Sequence, residues 1–151
     1  MKRKREYGPE PLVYTKFPGF KVCMDLLRKK GNGMMQEEGY HWLFTRVNEI
    51  FDDLIVEFDK PENARIQDWI IELIGLSSLP KAFEFLRDQL FENDPRNKSW
   101  VIYGLVNFRP FELRQLLEDL DIIEEYTPDV DSDVKAAWDE IRKRVREKVK
   151  Y

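Results

Sequence analysis

Cysteine and histidine occur once each, as Cys23 and His41. A single cysteine excludes an intrachain disulfide, and the two together fall short of a Cys/His zinc site. A nucleophilic triad would have to use His41, whose neighbours Tyr40 and Trp42 read as structural. Cys23 lies in the apolar run Phe20, Val22, Met24, Leu26 and Leu27, so it reads as a buried thiol rather than a nucleophile. Glycine is scarce, at 7 of 151 residues, which speaks against a many-turned β fold. Gly31-Asn32-Gly33 is too short to cradle a phosphate and reads as a helix-ending turn. There is no phosphate loop, dinucleotide fingerprint or HExxH motif. No apolar run approaches the roughly 20 residues that span a bilayer. No apolar segment follows the basic start MKRKRE to make a signal peptide. These gaps lead to an expectation of a reducing compartment, the cytosol, with no cofactor, no metal and no catalytic residues.

What is present is helical and charged. Apolar residues make up 42% of the chain and charged residues 36%, with a net charge of −4. That balance argues against a nucleic-acid binder, which needs clustered Lys and Arg, and favours a basic partner. The stretch Asp59–Leu120 then carries a repeat. At a shift of 31 residues Arg65 falls on Arg96, Trp69 on Trp100, Ile70 on Val101, Ile71 on Ile102 and Ile74 on Leu105. Further on, a shift of 30 places Phe83 on Leu113, Leu86 on Leu116 and Leu90 on Leu120. Two apolar helices per period mark a helical repeat array, in which each unit buries its apolar face only by stacking on a neighbour.

The rest of the chain fits this frame as a single domain, 1–151. Residues 1–17, with Gly8, Pro9 and Pro11, form an irregular lead-in. Tyr7, Leu12, Val13, Tyr14 and Phe17 are placed to lie across a helical surface. Helical spacing follows from Pro18 to about Lys30, then over Met34–Val47 and Asn48–Phe58, the last two being one helix or two. Asn63 is positioned to cap a helix over 64–75, and Ser78 one over 80–91. Asp94-Pro95 opens a helix over 95–107, with Pro at the first position. Arg109-Pro110 opens another, to Leu120 or slightly beyond. An acidic connector, Glu124–Ser132, leads to a last helix over Asp133–Lys148. The basic residues Arg142, Lys143, Arg144, Arg146, Lys148 and Lys150 suit its C-terminal turns. The tryptophans Trp42, Trp69, Trp100 and Trp138 fall in every second helix. The helix pairs are then 18–47, 48–75, 79–107 and 110–150.

The segment NDPRNKSWVIYGL resembles the inner helix of a HEAT-like repeat through Asp94-Pro95, Lys98, Val101, Gly104 and Leu105. ENARIQDWIIELIGL repeats it through Ile66, Gln67, Ile70, Leu73, Ile74 and Gly75. It departs at Gln67, where the family often has Arg, and at Val106, where it often has Gly. The resemblance implies an all-α, right-handed stack of about four HEAT-like helix pairs, an α-solenoid. Short, acidic, tryptophan-containing chains of this kind also resemble bacterial immunity proteins of the HEAT-like type. That resemblance implies a protein that binds a cognate toxin and blocks it.

Such stacks bind partners along the groove made by the second helices, with tryptophan and tyrosine as frequent anchors. The candidate partner-binding residues are Asp68, Trp69, Glu72, Trp100, Tyr103 and Trp138. The alternatives are a scaffold or adaptor of the same fold, and a nucleic-acid-binding HEAT-like protein using the basic last helix. The spaced carboxylates Asp129, Asp131 and Asp133 lack the sixth-position glycine of a calcium loop, where Val134 stands, and read as a solvated connector.

Overall fold

The computed structural model describes residues 14–29 and 31–149. All regular structure among them is helical. The chain divides into two compact units, one ending at Ser77 and the other beginning at Ser78. Tyr7, Leu12 and Val13 of the lead-in lie outside the described residues, as does Lys150.

The first unit holds α1 (Phe20–Leu27), α2 (Gly33–Thr45), α3 (Phe51–Phe58), a 3-10 helix (Pro61–Ile66) and α4 (Gln67–Leu76). Met34–Val47 and Asn48–Phe58 are thus two helices, parted by a turn at Arg46–Ile50. Helix α1 pairs with α2 and α3 with α4, and α2 also packs on α4. The core contains Met24, Leu27, Leu43, Leu54, Ile70, Leu73 and Ile74, all at most 1% exposed. Each such side chain contributes about 1.5–3 kcal/mol by leaving water. Asn32 caps α2 by accepting from the Met35 N–H at 3.1 Å. Helix α2 crosses α1 at Gly39, where an added Cβ would stand 2.6 Å from the Cys23 carbonyl oxygen. Of the lead-in, the Tyr14 N–H donates to Glu38 Oε2 at 2.7 Å, and the Arg46 guanidinium lies over the Phe17 ring.

Asn63 is not a helix cap. It is fully buried inside the 3-10 helix, and α4 starts at Gln67. Its amide is committed elsewhere. Nδ2 donates to the Glu57 backbone oxygen and to Glu57 Oε2, both at 2.7 Å, while Oδ1 accepts from Arg28 Nε at 2.7 Å. Arg28 Nη2 and Lys60 Nζ complete the cluster, at 3.0 and 2.9 Å from the Glu57 carboxylate. Burial works against the Glu57 charge. Hydrogen bonds from Lys60 and Asn63, with the charges of Lys60 and Arg28, outweigh it and hold the carboxyl below its ordinary value.

The second unit holds α5 (Pro80–Phe91), α6 (Lys98–Leu105), α7 (Pro110–Tyr126) and α8 (Ser132–Val149). Helix α5 pairs with α6 and α7 with α8, while α6 packs on α8 and α5 on α7. Val134, Ala137, Trp138, Ile141 and Val145 of α8 are all buried, as their spacing predicts. Three expected boundaries are displaced. Ser78 does not cap α5, because its backbone is left-handed at φ 56° and the helix starts beyond Leu79. Pro95 does not open α6: the Asp94 carboxylate binds the Arg96 N–H and guanidinium, and Asn97 turns left-handed at φ 65°. Helix α7 continues to Tyr126, shortening the connector to 127–131. Its far end is tied to α8 by Arg142, which pairs with Asp121 and Asp139 at 3.0 Å and Glu124 at 3.3 Å.

One hydrogen bond recurs at a fixed interval. Gln36 Nε2 donates to the Leu27 carbonyl, Gln67 Nε2 to the Phe58 carbonyl and Lys98 Nζ to the Gln89 carbonyl. Each donor lies early in the second helix of a pair and satisfies a carbonyl at the end of the first. Such carbonyls have no intrahelical partner. The donors are 31 residues apart, so the period extends back to α1 and α2. In that register Glu38, not Trp42, corresponds to Trp69 and Trp100. Lys98 also donates to Leu90 and Glu92, and burial pushes its ammonium down to about 8 against the raising influence of Asp94 and Glu92. Lys98→Gln supplies the donor that the other two pairs use, and is expected to stay within about 1 kcal/mol of the parent, whereas Lys98→Leu orphans the carbonyls and costs about 2 kcal/mol. Urea denaturation followed by far-UV circular dichroism checks this. Equal midpoints for the two variants would remove the cross-pair cap.

Candidate partner-binding surfaces

The six residues singled out from the sequence divide between the two units.

In the first unit Asp68, Trp69 and Glu72 lie on α4, all partly exposed. The Trp69 ring meets Tyr40 of α2 at 5.2 Å between centroids, tilted by 60°. The Tyr40 hydroxyl donates to Glu72 Oε1 at 2.6 Å. Asp68 Oδ1 accepts the Trp69 N–H at 2.9 Å, at the start of α4, where a carboxylate also meets the positive end of the helix dipole. The result is an aromatic pair flanked by two carboxylates. Tyr40 lies outside the six because in the sequence it reads, with Trp42, as a structural neighbour of His41. The 31-residue register does not reveal it, since it aligns Tyr40 with the buried Ile71 and Ile102. Glu38 holds the position of Trp69 in the first pair, where it is buried beneath the Tyr14 backbone.

In the second unit Trp100 and Tyr103 are both partly exposed on α6, with ring centroids 6.4 Å apart. The neighbouring charges form an ion pair: the Arg144 guanidinium of α8 lies 5.0 Å from the Tyr103 centroid. Glu140 pairs with Arg144 at 2.7 Å. Its hydrogen bond raises the Arg144 pKa, with burial opposing. This patch is therefore aromatic but not acidic.

Trp138 does not join it. It has no exposed surface, and its Nε1–H donates to the Leu90 carbonyl at 2.7 Å. An indole whose donor caps the end of α5 is part of the core. The apolar stripe of α8 already held that signal, since Trp138 sits in its centre.

The basic end of α8 is partly consumed by internal contacts. Arg142 is 9% exposed within its carboxylate cluster, and Lys148 Nζ donates to the Val106 and Phe108 carbonyls at the end of α6. Cys23 is fully buried, and burial with the Glu38 charge pushes its thiol up to about 11. His41 packs edge-on against Trp42 at 5.2 Å. Among the described residues no helix is long and apolar enough to cross a membrane, and no group of three His, Cys, Asp or Glu is placed to hold a metal ion. Comparisons of the chain with family models, with curated proteins and with solved structures each found no match.

Proposed function

We propose that this chain is a protein-binding immunity protein that inhibits a cognate toxin by covering its active or substrate-binding surface. In this reading the four helix pairs form one HEAT-like stack, and its second helices bear the contact surface. The 31-residue recurrence of the Gln36, Gln67 and Lys98 bonds supports the stack. The observation that carries the binding reading is the aromatic pair Tyr40–Trp69 with Asp68 and Glu72 beside it. Partly exposed indoles are frequent interface anchors, and a carboxylate rim draws a cationic partner and raises its encounter rate. A toxin acting on a polyanion would present such cationic residues.

The test is capture from the source lysate by tagged protein, with mass spectrometry of what is bound, followed by an activity assay of the captured protein. The expected result is one toxin-like enzyme, inhibited by the chain. Its affinity falls at least tenfold in Trp69→Ala, the size of a loss expected at an interface anchor. Full inhibition by Trp69→Ala with Trp100→Ala would remove both patches from the interface. A captured partner whose activity is untouched would favour the adaptor reading.

A further inference from the structure

A concavity of about 310 Å³ in the second unit is lined by Phe91, Asn93, Tyr126, Pro128, Asp129 and Val130. It lies where the short connector 127–131 follows α7 and faces the end of α5. Its shape is fixed by two bonds: Asn93 Oδ1 accepts the Asp131 N–H at 2.9 Å, and Asp131 Oδ1 accepts the Asp133 N–H at 2.8 Å. The Tyr126 side chain is left largely in solvent, at 76% exposure.

The segment that forms most of its wall is acidic. From Gln115 to Val134 the chain carries eight carboxylates and no basic residue. Asp119, Asp121 and Glu124 are paired with Arg87, Arg142 and Lys135. Glu118, Glu125, Asp129, Asp131 and Asp133 make no ion pair among the described residues. A tyrosine face beside an unpaired carboxylate is a receptor for a cation. The ring quadrupole and the carboxylate attract the same charge.

A second hollow, of about 250 Å³, shares Phe91 and adds Arg87, Asp119, Ile122 and Ile123. Arg87 Nε is buried there with no acceptor, while Ile122 is 54% exposed. That exposed apolar surface suits the side chain of a peptide, which a free small cation lacks.

We propose that these adjoining hollows dock an extended segment of a partner protein, with an arginine side chain in the Phe91–Tyr126–Asp129 pocket. Guanidinium is the fitting cation. It stacks flat on an aromatic face and donates a forked pair of hydrogen bonds to a carboxylate, whereas an ammonium does only one of these well. The main chain next to the arginine then lies over Phe91 and the exposed Ile122. This surface does not depend on Trp69 or Trp100, so it stands or falls apart from the immunity reading.

The test is a proton–nitrogen NMR titration of the full chain with acetyl-Leu-Gly-Arg-amide, its isosteric citrulline counterpart, and tetramethylammonium chloride. The arginine peptide should shift the amides of residues 126–131 and the Trp138 indole, and bind at least tenfold tighter than either control. Asp129→Asn and Tyr126→Ala should each weaken it severalfold while leaving the remaining spectrum intact. Both side chains are exposed, so the fold does not depend on them. Equal binding of citrulline or tetramethylammonium, or shifts confined to other residues, would overturn the proposal.

Discussion

Asn63→Leu is expected to lose about 3 kcal/mol of stability, because it leaves buried polar groups around a carboxylate without partners. The leucine is close in size to the amide, so packing alone would not produce that loss. Three groups lose a partner: Arg28 Nε, the Glu57 backbone oxygen and Glu57 Oε2. The polar network is only as favourable as its least satisfied member. Glu57 has a lowered pKa in the fold. A carboxylate of that kind contributes stability that is fully present above its unfolded value of 4.5, and lost as the pH falls through the lower folded value. The network should therefore hold at neutral pH and weaken only in acid. Asn63→Asp discriminates between causes. It puts a second carboxylate against Glu57, so its penalty at pH 7 should exceed that of Asn63→Leu and shrink toward pH 4, as protonation restores a donor. Urea midpoints for the three proteins at the two pH values check this. A loss under about 0.5 kcal/mol for Asn63→Leu, within the range of neutral surface changes, would mean that the cluster does not hold the first unit together.

Gly39→Ala is expected to cost about 2 kcal/mol net. Alanine gains about 1 kcal/mol in helix propensity, so the steric penalty must reach about 3 kcal/mol, the upper part of the overpacking range. The geometry supports that value. The new Cβ would stand 2.6 Å from the Cys23 carbonyl oxygen and 2.9 Å from the Leu27 nitrogen. Both are backbone atoms of α1, so no rotamer change relieves the contact and the two helices must separate. Cys23 reports that separation. It is fully buried and its thiol is pushed up to about 11, so in the parent it should react slowly with a thiol reagent. In Gly39→Ala it should react at least tenfold faster under native conditions, with a lower urea midpoint. An unchanged rate together with an unchanged or higher midpoint would show that α1 and α2 have room to spare.

The helical nature of the chain was legible from spacing alone. Phe83, Leu86 and Leu90 recur at intervals that put them on one side of α5, and all three are buried there. The period of 31 was legible from Trp69 and Trp100, but its first copy was not. The residue equivalent to those tryptophans is Glu38, whose chemistry has nothing in common with an indole. Only the shared hydrogen bond of Gln36, Gln67 and Lys98 exposes the correspondence, and a glutamine and a lysine share no sequence signature beyond a long side chain that ends in a donor. Helix starts were the least legible feature. Asn63, Ser78 and Pro95 each carry a capping or initiating preference, and each was overruled by a stronger local demand: the Glu57 network at Asn63, left-handed backbone at Ser78, and the Asp94–Arg96 contact after Pro95.

The same distinction governs the candidate surfaces. Sequence periodicity placed Trp69, Trp100, Tyr103 and Trp138 in every second helix, because a 3.6-residue turn sorts side chains onto faces without reference to the rest of the chain. It marked Trp138 for the core through the apolar stripe of α8 but could not rank the exposure of the other three. Whether an indole lies at the rim or in the core depends on which second helix covers it, and that is a property of packing between segments distant in sequence. Trp138 went to the core because Leu90, 48 residues earlier, offers its carbonyl. Tyr40 joined Trp69 because α2 packs on α4. The pocket at Tyr126 exists because Asn93 holds the connector against the end of α5. Local spacing thus determined the helices, the charge and the repeat. Long-range contacts decided which aromatic and acidic residues remain available to a partner, since burial is settled only when both sides of a contact are in place.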